Sequence, residues 1–438
     1  MVAGALTDPL YSFTMLPVKI QKYITSRGVK GPWRLSGCEE RGFSGAVVIP
    51  ALAESSHLPA TLRSLAMNPA SVLSRFLILV VVNNREDASP SDKKDNRQAL
   101  EWLARGEMSH ADLRIAWVDA ASSGLELPAA KGGVGLARKI GFDLALQCLD
   151  FTGNAPILIA LDGDTLVQPD YLETVAGHFN GSTAGGAVIP FRHQQGKTPA
   201  ERDAILRYEL FLRAYVLGLS LAGSPYAFHT VGSAMACTTS AYAAMGGMNT
   251  RTAAEDFYFL QQLKKTGGIE QVSGTVVMPS PRSSHRVPFG TGKSVSRLLD
   301  GDPSAVLFYD PECFYILGRW LSLADSCSGE QGQVVRTLAD GISPSLGAFL
   351  DGMRFCEAWD RLRKNSRDQT ALRVAFHSWF DALRTLKLIH HLSDGPRRRG
   401  EPGDNIPPLL SWAGLETRRN PEDQLELLRR VQTEATVR

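Results

Sequence analysis

Apolar residues fall first into short runs and later into helical spacing. Residues 46–49 make a short strand closed by Pro50. Residues 76–82, FLILVVV, are apolar on both faces, as a central parallel strand must be. Residues 113–118 and 157–161 give a third and a fourth strand. Between them Leu58, Leu62 and Leu65 recur at helical spacing, and SDKKDNRQALEWLARG reads as an exposed helix. Residues 134–149 put Val134, Ala137, Ile140, Gly141, Leu144 and Cys148 on one side of a further helix. Strand and helix thus alternate four times, which predicts an α/β fold with a parallel sheet covered on both faces.

The order changes after residue 180. Residues 187–191, 233–238 and 275–278 are short strand candidates. Residues 200–222 form a long helix, and residues 255–265 a helix ended by Gly267 and Gly268. Residues 279–293 are a loop rich in Pro, Gly, Ser and Arg. From residue 300 the pattern is helical, including 358–364 and 369–392. The expected division is an N-terminal extension over 1–42, packed on an α/β domain over 43–299, and a helical region over 300–438.

Composition narrows the classes. A chain of 438 residues, 44% hydrophobic and 21% charged, can bury a sizeable core. The net charge of +2 gives no broad case for nucleic acid. Arg397, Arg398 and Arg399, flanked by glycine and proline, read as a solvated loop. Six scattered cysteines without a C-x-x-C pair indicate neither a zinc finger nor a disulfide framework, and fit a reducing compartment. The N-terminus lacks signal-peptide features, and the apolar run at 214–223 is too short to span a bilayer. A soluble cytoplasmic protein with no transmembrane segment is expected, with peripheral membrane contact left open.

The chemistry begins at residues 157–172, ILIALDGDTLVQPDYL. Asp162 and Asp164 sit where a buried strand leaves the sheet, which is where open α/β folds place ligands. Two residues apart, their side chains can point the same way, and Gly163 permits an irregular backbone. Hard carboxylate oxygens suit magnesium or manganese. Pro169 is read as the opening of a helix. Glu255 and Asp256 open the apolar helix FYFLQQL, a place that the helix dipole alone also favours for carboxylates.

Seven segments in order, over roughly residues 43–295, resemble the family 2-like glycosyltransferases with the GT-A fold. They are VVIPALAES from Val47, LVVVNN from Leu79, KGGVGLARKIGFDLAL from Lys131, the DXD motif LDGDT, GSAMACTTSAYAAMGGM from Gly232, AAEDFYFLQQLKK, and RSSHRVPFGTG from Arg282. Three positions depart from the usual pattern. Asn83 and Asn84 stand where a pair of aspartates is commoner, and Lys139 follows Arg138 where an asparagine is.

The resemblance implies a GT-A type mixed sheet flanked by helices and a metal-dependent hexosyltransferase using a nucleotide sugar. In it Asp162 holds the ribose and Asp164 the cation, Mn2+ or Mg2+, with His285 as a further ligand; His193 and His229 compete for that place. Arg286, with Arg282 and Lys293, would clamp the diphosphate on a loop that Gly290 and Gly292 let close. Pro50, Ala51, Glu54, Lys131, Gly133, Arg138 and Gly163 would line the nucleotide. Asn83 could accept from uracil N3–H and donate to O4, which favours a UDP-sugar. His229, Gly232 and Ser233 would face an acceptor of unknown identity. Within the catalytic pair Glu255 and Asp256, Asp256 would be the general base of an inverting displacement. A retaining transferase, a sugar-phosphate nucleotidyltransferase and an inactive nucleotide-sugar-binding module stay open as alternatives. Trp320, Trp359, Trp379 and Phe380 are candidate acceptor-pocket or core residues.

Overall fold

The computed structural model describes residues 16–434 apart from 109, 111, 284–289 and 396, and of residue 434 only its place in a helix. It divides into two units. The first holds the described residues up to Arg192 together with Thr230–Ser280; the second holds His193–His229 and the described residues from Pro281 onward.

In the first unit the strands are β1 (Leu35–Ser36), β2 (Gly45–Ala51), β3 (Phe76–Asn83), β4 (Arg114–Ala120), β5 (Ile157–Ala160), β6 (Leu166–Val167), β7 (Gly186–Val188), β8 (Met235–Thr238), β9 (Ile269–Gln271) and β10 (Val277–Met278). Every residue of β3 is buried, which fits its place between two parallel neighbours under helices. The main sheet runs β1-β4-β3-β2-β5-β8-β7-β9, with β6 and β10 paired separately. From β4 to β5 it is parallel; β8 then runs antiparallel to both β5 and β7. The sheet is therefore mixed, as the GT-A resemblance implies, and not parallel throughout as the early alternation alone suggests.

The Val134–Ala145 helix lies on β2 and β3. Its Gly141 fits because a Cβ there would stand 2.3 Å from Val48 Cγ1. The N-terminal segment is bound to this unit by a helix, Val18–Arg27. Tyr23 donates its hydroxyl proton to Asp143 Oδ1 at 2.7 Å, and Val29 N donates to Asp143 Oδ2 at 2.7 Å. Lys139 Nζ donates to the Tyr23 oxygen at 2.7 Å and pairs with Asp143 at 2.9 Å. The unusual lysine beside Arg138 thus serves this buried network. Burial pushes the Tyr23 hydroxyl up, with Asp143 adding to it, so it stays a donor.

Three sequence expectations need correction here. The helix at Pro90–Ala104 is not wholly exposed, since Asn96, Ala99 and Leu103 are buried. The helix after Pro169 begins only at Tyr171. The long helix expected over 369–392 is two, Gln369–Trp379 and Ala382–Ser393; Asp381 caps the second by accepting from Arg384 N at 3.1 Å.

The second unit is helical among its described residues. Its longest helix, Pro199–Leu221, opens with a reciprocal cap: Glu201 N donates to Thr198 Oγ1 at 3.2 Å while Thr198 N donates to Glu201 Oε2 at 3.0 Å. Trp320, Trp359, Phe355, Phe376 and Phe380 close its core, each at most 1% exposed. Trp320, Trp359 and Phe380 are therefore core residues, and Trp379 packs partly buried beside them. Among the described residues no helix is long and apolar enough to cross a membrane. All six cysteines are free.

Candidate functional site

The first unit gathers its chemistry at one edge of the sheet. β5 stops at Ala160, level with Val48 of β2, so Asp162, Gly163 and Asp164 leave the sheet beside the β2 end. β8 runs the other way, with Met235 opposite Ala160. Gly232 and Ser233, just ahead of it, therefore lie at the same edge. Asn83 ends β3 there too, and its Oδ1 is buried with no hydrogen-bond partner among the described residues; the same holds for Ser233 Oγ. Orphaned buried polar atoms are costly and mark places where a ligand can supply the missing bond.

The loop after β2 is held by side chains. Pro50 and Ala51 close the strand, and Ala53 takes a left-handed φ of 53°. Ala53 N donates to Asn96 Oδ1 at 2.8 Å, while Asn96 Nδ2 donates to the Asn83 carbonyl at 3.0 Å and to Asn84 Oδ1 at 2.8 Å. Ser55 N donates to Asp95 Oδ1 at 3.0 Å. Asn96 and Asp95, which sequence reasoning missed, thus fix two candidate nucleotide loops. The signal was Asn96 itself, a polar residue on the apolar stripe of Ala99 and Leu103. Glu54 is buried and packs on Gly163, where a Cβ would lie 3.1 Å from Glu54 Cγ. Thr61 Oγ1 donates to the Gly163 carbonyl at 2.9 Å.

Arg138 is the hub. It sits mid-helix in Val134–Ala145 with its side chain 2% exposed. Its Nη2 donates to Asp162 Oδ1 and its Nη1 to Glu255 Oε1. One guanidinium therefore joins the DXD turn to the Glu-Asp turn. Burial works against the Arg138 charge, yet Asp162, Glu255 and Asp256 outweigh it and hold the group above its ordinary range. Gly232 permits this approach, since a Cβ there would stand 2.6 Å from Nη2.

Asp256 adjoins the hub. It is half-buried, and Oδ1 accepts from Phe257 N at 2.7 Å. Burial and the neighbouring Glu255 charge push its carboxyl up to about 7, against the pull of Arg138. A carboxyl placed there can exchange a proton near neutrality, the range a general base needs.

The remaining candidates divide. Lys131 is exposed, and Gly133 lies against Thr252. Asp164 is half-buried, and its carboxylate oxygens fit a hard divalent cation. Among the described residues no group of three or more His, Cys, Asp or Glu gathers to hold a metal. His285 and Arg286 lie outside the described residues. Arg282, Lys293, His193 and His229 belong to the second unit. His193 and His229 are tied up there: His193 Nδ1 meets Glu209 Oε2 at 3.0 Å, and His229 Nε2 meets Gln432 Oε1 at 3.1 Å. Burial, then Arg213, pushes His229 down to about 3, so it is neutral.

The model of glycosyl transferase family group 2 matches residues 157–299, a span that holds Asp162, Asp164, Glu255 and Asp256. Residues 157–299 thus resemble the family 2 glycosyltransferases. No curated protein matches the chain. Among solved structures, the glycosyltransferase region and its surroundings are similar to S. aureus TarS 1-349 in complex with UDP-GlcNAc, at 14% identity over 76% of this chain and 90% of that one, with a TM-score of 0.37. A mannosyltransferase from Pyrobaculum calidifontis, in complex with GDP-Man and Mn2+, is similar at 13% identity over 96% and 94%, with a TM-score of 0.37. Glucosyl-3-phosphoglycerate synthase from Mycobacterium tuberculosis, in complex with UDP, is similar at 12% identity over 65% and 82%, with a TM-score of 0.32.

Proposed function

We propose that the chain transfers a hexose from a nucleotide diphosphate to an acceptor hydroxyl, with inversion and with a divalent cation. The observation that carries this reading is the shared contact of Asp162 and Glu255 with Arg138. It brings a donor-type DXD turn and a base-type Glu-Asp turn to one place.

In the proposed reaction the acceptor oxygen attacks the anomeric carbon while the bond to the nucleotide diphosphate breaks. Asp256 takes the acceptor proton. Its carboxyl, pushed up to about 7, is basic enough to hold that proton and is still largely ionised above neutrality. Asp162 holds the ribose. Asp164 would hold Mn2+ or Mg2+, with His285 as its partner; the bound cation supplies Lewis-acid stabilisation to the leaving diphosphate. The orphaned Asn83 Oδ1 is suited to a base edge carrying an N–H donor, such as the N3–H of uracil.

The test is a panel of UDP-, GDP- and dTDP-sugars offered with Mn2+. Binding is expected for at least one, with slow release of free sugar when water serves as acceptor. Asp164→Asn should remove the cation-dependent part of that binding. Absence of binding across the panel would contradict the proposal. The nucleotidyltransferase alternative predicts pyrophosphate release from a nucleoside triphosphate and a sugar phosphate.

A further inference from the structure

Glu255 is buried and committed to Arg138. Its side chain is 6% exposed, and its Oε1 is occupied by Arg138 Nη1. The backbone around it is equally constrained. Ala254, just before it, takes a left-handed φ of 56°, and Asn249 Nδ2 donates to the Glu255 carbonyl at 2.8 Å. Gly135 lets the helix of Arg138 press on this turn, because a Cβ there would meet the Arg251 carbonyl at 2.5 Å and Glu255 Cβ at 3.0 Å. On the other side, Gly232 closes over Nη2. Arg138 is therefore gripped from both turns, within a pocket that two missing Cβ atoms make room for. A guanidinium suits this task because its planar fork holds two carboxylates in fixed directions, as a lysine ammonium does not.

We propose that Arg138 and Glu255 are positioning residues, which set the donor-side Asp162 and the proton-accepting Asp256 from one shared point. This rests on the transferase reading above and adds a wire between its two halves. A change at Glu255, on the acceptor side, must then be felt at the nucleotide.

The experiment uses the full chain, the wild type with Arg138→Lys, Glu255→Gln and the double variant. Calorimetry measures UDP binding with Mn2+, and nucleotide release from the nucleotide sugar that the wild type hydrolyses gives kcat. Glu255→Gln and Arg138→Lys should each weaken UDP binding about 10-fold and lower kcat, and the double variant should be no weaker than the worse single, as for residues acting through one another. Glu255→Asp, which keeps the charge, should recover part of the loss. Three results overturn the inference. Arg138→Lys alone could weaken UDP binding, which would make Arg138 a direct ligand. The losses could multiply in the double variant. Glu255→Gln could lower the melting temperature and leave UDP affinity and kcat untouched, which would make its role structural only. Should Arg138→Lys not fold, Glu255→Gln and Glu255→Asp decide by the same readings. If the wild type binds no nucleotide and hydrolyses no nucleotide sugar, the transferase reading itself fails and this inference with it; binding and turnover without coupling overturn the inference alone.

Discussion

Two charge clusters, one in each unit of the molecule, are balanced in opposite directions. In the first, Asp162, Glu255 and Asp256 face Arg138. In the second, Glu209 is fully buried and accepts from Arg213 Nε at 2.9 Å and from Arg429 Nε and Nη2 at 2.7 and 2.9 Å, with His193 at 3.0 Å. Burial alone would raise Glu209, but Arg429, His193 and Arg213 hold it well below the usual carboxylate range. There the carboxylate is saturated and has no proton to trade. In the first cluster the carboxylates outweigh the cation, and the surplus lands on Asp256. Burial of charge by itself is therefore no sign of chemistry; what matters is whether the pairing leaves one group unsettled.

The largest effect should come from removing that unsettled group. Asp256→Asn is expected to keep nucleotide binding and to lose about 10³-fold in turnover, the scale of a general base. Full turnover in this variant would dissolve the contrast between the clusters.

Breaking the second cluster should act on stability. Glu209→Ala leaves the buried Arg213 and the half-buried Arg429 without their shared carboxylate, and a cost of about 3–5 kcal/mol is expected for a pair broken on one side. Denaturant melts measure it, and UDP affinity in the folded fraction should not move. Since Glu209 has its folded pKa depressed, its contribution is present above the unfolded value and lost as acid protonates it, so the wild type should lose this part of its stability only well below the ordinary carboxylate range.

The pH dependence sharpens the contrast. Asp256 has its folded pKa raised to about 7. In the proposed base role it must be ionised, so turnover should rise as pH climbs through about 7. Stability carries the opposite sign: what Asp256 contributes is fully present below its unfolded pKa and falls away as pH rises toward neutrality. Asp256→Asn should lack that fall. Glu255→Gln removes the second-largest raising cause, so the midpoint of its pH-rate curve should move down. An unmoved midpoint would mean that Glu255 does not act on Asp256.

The smallest effect belongs to the N-terminal helix. Tyr23→Phe deletes bonds to Asp143 and Lys139 and is expected to cost about 1 kcal/mol, read as a shift in the melting midpoint.

Much of this was legible in the sequence. The apolar runs over 76–82 and before Asp162 read directly as strands because strands buried on both faces leave no polar residue to mislead. The short strands Leu166–Val167 and Ile269–Gln271 did not, since two or three residues carry no period. Asp162 and Glu255 could be singled out as motifs, but not their meeting on Arg138, which depends on a contact across 117 positions of chain. Lys139 looked like a departure from a donor-site pattern. Its reason lay in Asp143, one turn further along the same helix, and in Tyr23 of the N-terminal helix.

In the proposed function the Asp162 and Asp256 turns form one reaction site. Mass spectrometry of a nucleotide-sugar panel incubated with Mn2+ and either the wild type or Asp256→Asn tests it most directly. Free sugar and nucleoside diphosphate from the wild type, with a variant that still binds the nucleotide sugar and releases almost none, is the predicted result. Equal release from both proteins, or no binding and no release by the wild type, would contradict it.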